Sequence, residues 1–259
     1  MILEGKTLIV CGVGTGLGSE IARAAYRDGA NLVLAARTQA TLEAAAKEID
    51  STGKRIEIVP TDITDESQCQ ALAAAASKRF GRVDALAQVA AIDAVFGGLA
   101  DLTEDDVSRC VHTNVTGSLL VSRAVAEPMK AAGGGSIVLI GSQSSWLPSV
   151  PQLAYAASKG ALRTAMYFMA KDLGPHRIRV NTVVPTWMWG PPVEGYVKGE
   201  AERRGVSEET VIGEITSHFC IPEIPKDDDV AEAVIFLASD RARMITGQYL
   251  MVNSGELMT

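Results

Sequence analysis

Tyr155 and Lys159 stand four residues apart in the run Tyr155-Ala156-Ala157-Ser158-Lys159, and Ser142 lies thirteen residues upstream. Positions i and i+4 of a helix share a face, so the phenol and the ammonium can meet at one point. A free tyrosine titrates near 10 and is a poor base at neutral pH. Bringing it to about 7 takes roughly 4 kcal/mol of preferential stabilisation of the phenolate. A neighbouring ammonium acts in that direction. A serine hydroxyl can hold the reacting oxygen while the proton moves. The three residue types together describe acid/base chemistry at an alcohol or carbonyl oxygen. A Tyr-x-x-x-Lys pair alone is, in most proteins, an ordinary amphipathic helix pattern.

A second motif lies near the amino terminus. Cys11-Gly12-Val13-Gly14-Thr15-Gly16-Leu17-Gly18 follows an apolar run and leads into Ser19-Glu20-Ile21-Ala22. Glycines let the backbone turn sharply and approach a pyrophosphate, and the helix that follows offers free N–H groups and a positive dipole end. The spacing is Gly-x-x-x-Gly-x-Gly at Gly12, Gly16 and Gly18, and we read Gly12, Thr15, Gly16, Leu17 and Gly18 as a dinucleotide cradle. The next apolar run ends Leu34-Ala35-Ala36-Arg37-Thr38. A carboxylate there would suit the ribose hydroxyls of NAD. Ala36 removes it, and Arg37, helped by Thr38, offers a guanidinium suited to a 2′-phosphate. NADP(H) is therefore favoured over NAD(H). A surface arginine, or one stacked on the adenine of NAD, is the competing reading of Arg37.

These motifs need a frame. Strands are expected at Thr7–Cys11, Asn31–Ala36, Ile56–Val59, Asp84–Val89, Ser136–Ser142, Ile178–Val184 and Gln248–Val252, mostly continuous apolar runs that suit parallel strands covered on both faces. Helix-period segments lie between them, roughly Leu17–Asp28, Ala40–Asp50, Glu66–Arg79, Glu104–Ala131, Ala154–Leu173 and Asp227–Leu237. The alternation predicts an α/β, Rossmann-like doubly wound parallel sheet of about seven strands with helices on both faces. Pro128 is a candidate kink in the fourth helical segment. Thr186 to Pro225, punctuated by Pro191, Pro192 and Pro222, reads as an excursion over the carboxyl end of the sheet, a substrate lid holding one charged helical piece near Val193–Ser217.

No linker or repeat divides the 259 residues, so residues 1–259 read as a single domain. A net charge of −7 argues against a nucleic-acid surface. The first residues do not resemble a secretory signal, and no apolar run reaches membrane-spanning length. Cys11, Cys69, Cys110 and Cys220 are scattered, as are His112, His176 and His218. Reduced thiols, no metal and a cytoplasmic location are the expectation.

Glycine loop, Ser142, Tyr155 and Lys159, in this order and spacing, resemble the short-chain dehydrogenase/reductase family, classical type. The resemblance covers essentially the whole chain. It implies that Asn114, in Asn114-Val115-Thr116-Gly117, joins Ser142, Tyr155 and Lys159 as a catalytic residue that kinks a helix and holds a relay water. It implies that Asp62 contacts the adenine. With Ile63, Ala90, Tyr155, Lys159 and Pro185, Asp62 completes the cofactor set. It also implies NAD(P)-dependent interconversion of alcohol and ketone by a homo-oligomer, a dimer or homotetramer built through the long helices. Three positions depart from the family pattern: Gln88-Val89-Ala90-Ala91 replaces Asn-Asn-Ala-Gly, Thr186 replaces a glycine, and Gly190 replaces a threonine that often contacts the carboxamide.

Trp146, Trp187 and Trp189, with Gln152, flank the expected site. They point to an apolar, cyclic or bulky alcohol or ketone as the small-molecule partner. Two other readings compete. One is a cofactor-binding regulator or scaffold without turnover. The other is a ketoacyl thioester reductase, for which a basic docking patch would be expected.

Overall fold

Apolar side chains fill both faces of the inner strands, and this organises the chain. The computed structural model describes residues 1–258. Its strands are β1 (Thr7–Cys11), β2 (Asn31–Ala36), β3 (Ile56–Pro60), β4 (Ala85–Gln88), β5 (Gly135–Ile140), β6 (Ile178–Pro185) and β7 (Tyr249–Val252). They form one parallel sheet in the order β3-β2-β1-β4-β5-β6-β7. Leu8 and Val10 enter one core while Ile9 and Cys11 enter the other, and Val138 alternates with Ile137 and Leu139 in the same way. With both faces buried, each strand reads as a continuous apolar run.

The first core is closed by α1 (Leu17–Arg27), α2 (Gln39–Ile49) and α9 (Asp227–Ala238), through Ile21, Ala25, Leu42, Val230 and Val234. The second is closed by α3 (Glu66–Phe80), α5 (Ser118–Ala131) and α6 (Leu153–Leu173), through Leu72, Val125, Leu162 and Met166. The chain runs outward from β1 to β3, then returns to place β4 on the other side of β1. That reversal opens a crevice beyond the carboxyl ends of β1 and β4, where such sheets hold ligands.

Two segments differ from the sequence expectation. The helical stretch Glu104–Ala131 is α4 (Glu104–Cys110) and α5 joined by a π turn, Val111–Gly117, which inserts Asn114 into the interior. Pro128 lies inside α5, and the helix runs on to Ala131. The single helical piece expected in the excursion is two helices, α7 (Pro191–Arg204) and α8 (Glu208–Thr216). Gly205, at φ +66°, ends α7 in the left-handed region, and the Ser207 side chain caps α8. These helices bury Val197, Ala201 and Val211 against each other. The excursion is pinned at its base, where the Trp189 N–H donates to Pro225 O at 2.7 Å.

The β1–α1 turn requires glycine at two positions. Gly12 has φ +101°, and a Cβ there would sit 2.7 Å from Ala90 Cα. A Cβ on Gly18 would sit 2.9 Å from the Gly12 carbonyl carbon, whereas Gly14 faces open space. Gly18→Ala is expected to lower the unfolding free energy by about 1–3 kcal/mol in urea denaturation. Gly14→Ala should stay within about 0.5 kcal/mol of the parent. Equal losses at the two positions would refute this division.

Candidate active site

Ser142 follows β5 in extended conformation, with its Oγ 2.8 Å from Ser144 Oγ and accepting the Ser144 N–H at 3.2 Å. Tyr155 lies in the first turn of α6, and Lys159 follows one turn later. Lys159 is buried, its Nζ donating to Ile140 O at 2.8 Å and standing 5.6 Å from the centre of the Tyr155 ring. Desolvation governs both groups. It pushes the phenol up to about 12, against a hydrogen bond with Ser142 that lowers it and with the Asp93 charge adding to the rise. It pulls the Lys159 ammonium down to about 8, with Asp93 opposing. Sequence reasoning expected Lys159 to lower the tyrosine. In this structure the ammonium is turned to a main-chain carbonyl, and the phenol keeps its proton at neutral pH.

Asn114 clamps the frame around this pair. Its Oδ1 accepts the Ile92 N–H at 2.7 Å, and its Nδ2 donates to Ile92 O and to Ser158 Oγ, both at 2.9 Å. Ser158 in turn donates to Tyr155 O at 2.7 Å. The Asn114 carbonyl accepts the Ser118 hydroxyl at 2.7 Å, and Gln88 Nε2 donates to Ser118 Oγ at 3.2 Å. The exit of β4, the π turn and α6 are thereby held in one polar thread. Ser158 stood unassigned in the Tyr155–Lys159 run. Ile92, Ser118 and the Ile140 carbonyl carry no local sequence signal, because topology alone brings them here.

A cavity of about 360 Å³ opens beside Gly12, Ala36, Arg37, Asp62, Ile63 and Ala90. The Thr64 hydroxyl and N–H, at 2.7 and 2.9 Å, hold the Asp62 carboxyl below its usual range, and Arg37 reinforces them. Arg37 is exposed at the end of β2, and Thr38 precedes α2. Thr15 is exposed on the loop, Gly16 precedes α1, and the Leu17 side chain belongs to the first core, which leaves its backbone to face a ligand. Pro185 closes β6. Open space at Gly14, the amino end of α1, an adenosine-sized cavity and an exposed guanidinium fit a dinucleotide.

The residues assigned to substrate are dispersed. Trp146 packs edge-on to Tyr249 at 5.4 Å, with the Arg163 guanidinium 4.5 Å from its ring centre. Trp189 packs into the α7–α8 core, and Trp187 pairs with Tyr196 at 5.3 Å. Gln152 donates to Asp93 O at 2.9 Å. The carboxyl end Ile245–Gly255, which fits the family pattern in sequence but carries no assigned site role, reaches the site: Asn253 Nδ2 donates to Gln143 Oε1 at 2.7 Å, and Glu256 just beyond accepts the Thr186 hydroxyl. Among the described residues no group of three or more His, Cys, Asp or Glu side chains is placed to hold a metal, and no helix is long and apolar enough to cross a membrane.

A family model described as enoyl-(acyl carrier protein) reductase matches residues 12–256. L-rhamnose 1-dehydrogenase (NAD(P)(+)) of Azotobacter vinelandii is 32% identical, over 98% of each chain. L-xylulose reductase of Bos taurus is 31% identical, over 99% of this chain and 98% of its own. The structure of a 7α-hydroxysteroid dehydrogenase complexed with NADH and 7-oxo glycochenodeoxycholic acid superposes with a TM-score of 0.85 at 30% identity, covering 98% of this chain and 94% of the other.

The buried ammonium has a stability signature. Its folded value, about 8, lies below its ordinary value of 10.5. Between these values the unfolded chain binds more protons at this residue, so Lys159 adds stability as pH rises through the window. Lys159→Met should lack this increment. Urea midpoints of the two proteins across that range check it, and parallel curves would contradict the buried charge.

Proposed function

The chain belongs to the short-chain dehydrogenase/reductase family of oxidoreductases, which use NAD(P)(H), and on that premise we propose that it interconverts a secondary alcohol and a ketone, with NADP(H) as the preferred cofactor. One observation carries the reading: a protonated phenol and a buried ammonium, Tyr155 and Lys159, stand with Ser142 past the carboxyl end of β5, on the same edge of the parallel sheet from which the glycine loop leaves β1. Ser142 holds the substrate oxygen. In reduction Tyr155 donates its proton to that oxygen, and in oxidation it accepts the proton from the alcohol. The dinucleotide, when bound, supplies or accepts the hydride. A positive charge brought beside the phenol lowers its pKa toward the working range of a base. Lys159 would supply such a charge on turning from the Ile140 carbonyl toward the phenol, and would hold the ribose. Asn114 keeps α6 in register with the exit of β4, and a relay water would share its carbonyl with Ser118.

The substrate is a small alcohol or ketone. The bulky apolar class rests chiefly on Trp187, because Trp146 and Trp189 are engaged in packing. Sugar and polyol chemistry in the names of relatives supports hydroxylated substrates equally. Exposed Tyr167 and Phe168 on α6 and Leu119 on α5 support a dimer or tetramer built through these helices.

Tyr155→Phe should reduce turnover to less than about a tenth of the parent's while dinucleotide affinity is kept. Retained turnover, measured at the reduced-nicotinamide absorbance with panels of polyols and cyclic alcohols, would remove the tyrosine from its role. Arg37→Ala should weaken NADP binding by about 1–3 kcal/mol and leave NAD binding nearly unchanged. Calorimetric titration of both dinucleotides decides this, and a parent that prefers NAD overturns the assignment.

A further inference from the structure

Asp227 opens α9 immediately after the base of the lid, and its Oδ2 lies 3.2 Å from where a Cβ would stand on Gly16 and equally 3.2 Å from where one would stand on Gly190. One carboxylate is thus wedged between the phosphate-facing loop and the first residues of the lid. It is half-buried. The charges acting on it are negative: Glu20 across from α1 and Asp228 beside it on α9. On α1 the Arg23 guanidinium is engaged by Glu20 and Glu48, and on α9 the Asp229 carboxylate accepts the Lys226 N–H and adds a further acid nearby. Lys226, the neighbouring cation, is exposed. The amino end of α9 favours the ionised carboxyl. Burial and the two acids outweigh it and raise the carboxyl above its usual range. An anion at this spot is unexpected, because the amino end of α1 is where a pyrophosphate would settle.

We propose that Asp227 governs how firmly the dinucleotide seats: ionised, its carboxylate opposes the pyrophosphate on the glycine loop, and a proton taken from solvent onto Oδ2 relieves that opposition. This rests on the dinucleotide reading given above. Asp227 is a positioning residue, since it acts on seating and on the lid base rather than on the reacting oxygen. Cofactor binding consumes a proton at this residue and weakens as pH rises. A neutral hydrogen-bonding group of the same shape removes the coupling.

The experiment is calorimetric titration of the full chain with NADPH and with NADH, in buffers of differing ionisation enthalpy, from about pH 5 to about pH 8, for the parent, Asp227→Asn and Asp227→Glu. NADH carries no 2′-phosphate that could itself titrate in this range. The parent and Asp227→Glu should take up protons on binding and lose affinity with rising pH. Asp227→Asn should lose the uptake and bind about tenfold more tightly at the alkaline end, the equivalent of one unit of linked pKa shift. Thermal unfolding checks that each variant is folded. Equal affinity and equal proton uptake in parent and Asp227→Asn overturn the proposal while leaving the oxidoreductase reading standing. Absence of binding to either dinucleotide in every protein overturns both.

Discussion

The hydrogen bonds of Asn114 hold together the parts on which the site depends. A carboxamide in the interior must have its donors and acceptor met, because an unmet buried polar group costs about 1–3 kcal/mol. Here the partners are the N–H and C=O of Ile92 and the hydroxyl of Ser158, on segments distant in sequence. Satisfying that amide therefore fixes where β4 ends, where the π turn sits and how α6 presents Tyr155. The π turn is the local adjustment that brings the amide inward, a use to which single π segments are commonly put at functional sites.

The electrostatics follow from the same enclosure. Around α6 the chain withholds water from a phenol and an ammonium, and desolvation favours the neutral form of each. A tyrosine in such surroundings holds its proton until positive charge arrives. Under the function proposed above, the resting site is an acid and becomes a competent base only when a cation is brought beside the phenol. At the start of α9, partial burial and neighbouring acids act on Asp227 in the same sense, favouring the uncharged carboxyl. Charge introduced with a ligand has large leverage in these places because so little water screens it.

Much of this was legible in the residues. The sheet and its order of elements followed from apolar runs that alternate with helix-period segments. Tyr155, Lys159 and Ser142 were found by residue type and spacing, and the glycine loop by its place between a strand and a helix. The π turn was hidden, because inserting one residue into a helical turn barely disturbs an apolar pattern of period 3.6. The direction of the Lys159 ammonium was hidden as well, since Ile140 O is a main-chain atom and gives no sign of its partner. Trp146 and Trp189 looked like substrate contacts because they sit on flanking loops. Only packing shows Trp146 against Tyr249 and Arg163, and Trp189 inside the lid. The contact between Asp227 and Gly16 joins residues more than two hundred positions apart, so no local pattern reveals it.

The small interior of α7 and α8 shares no residue with either core of the sheet. Changes at Val197, Ala201 or Val211 therefore act on the α7–α8 excursion apart from the packing of the sheet, and effects at such separated sites tend to add. Side chains of this hairpin can be replaced in many small steps without disturbing the two cores on which the sheet depends.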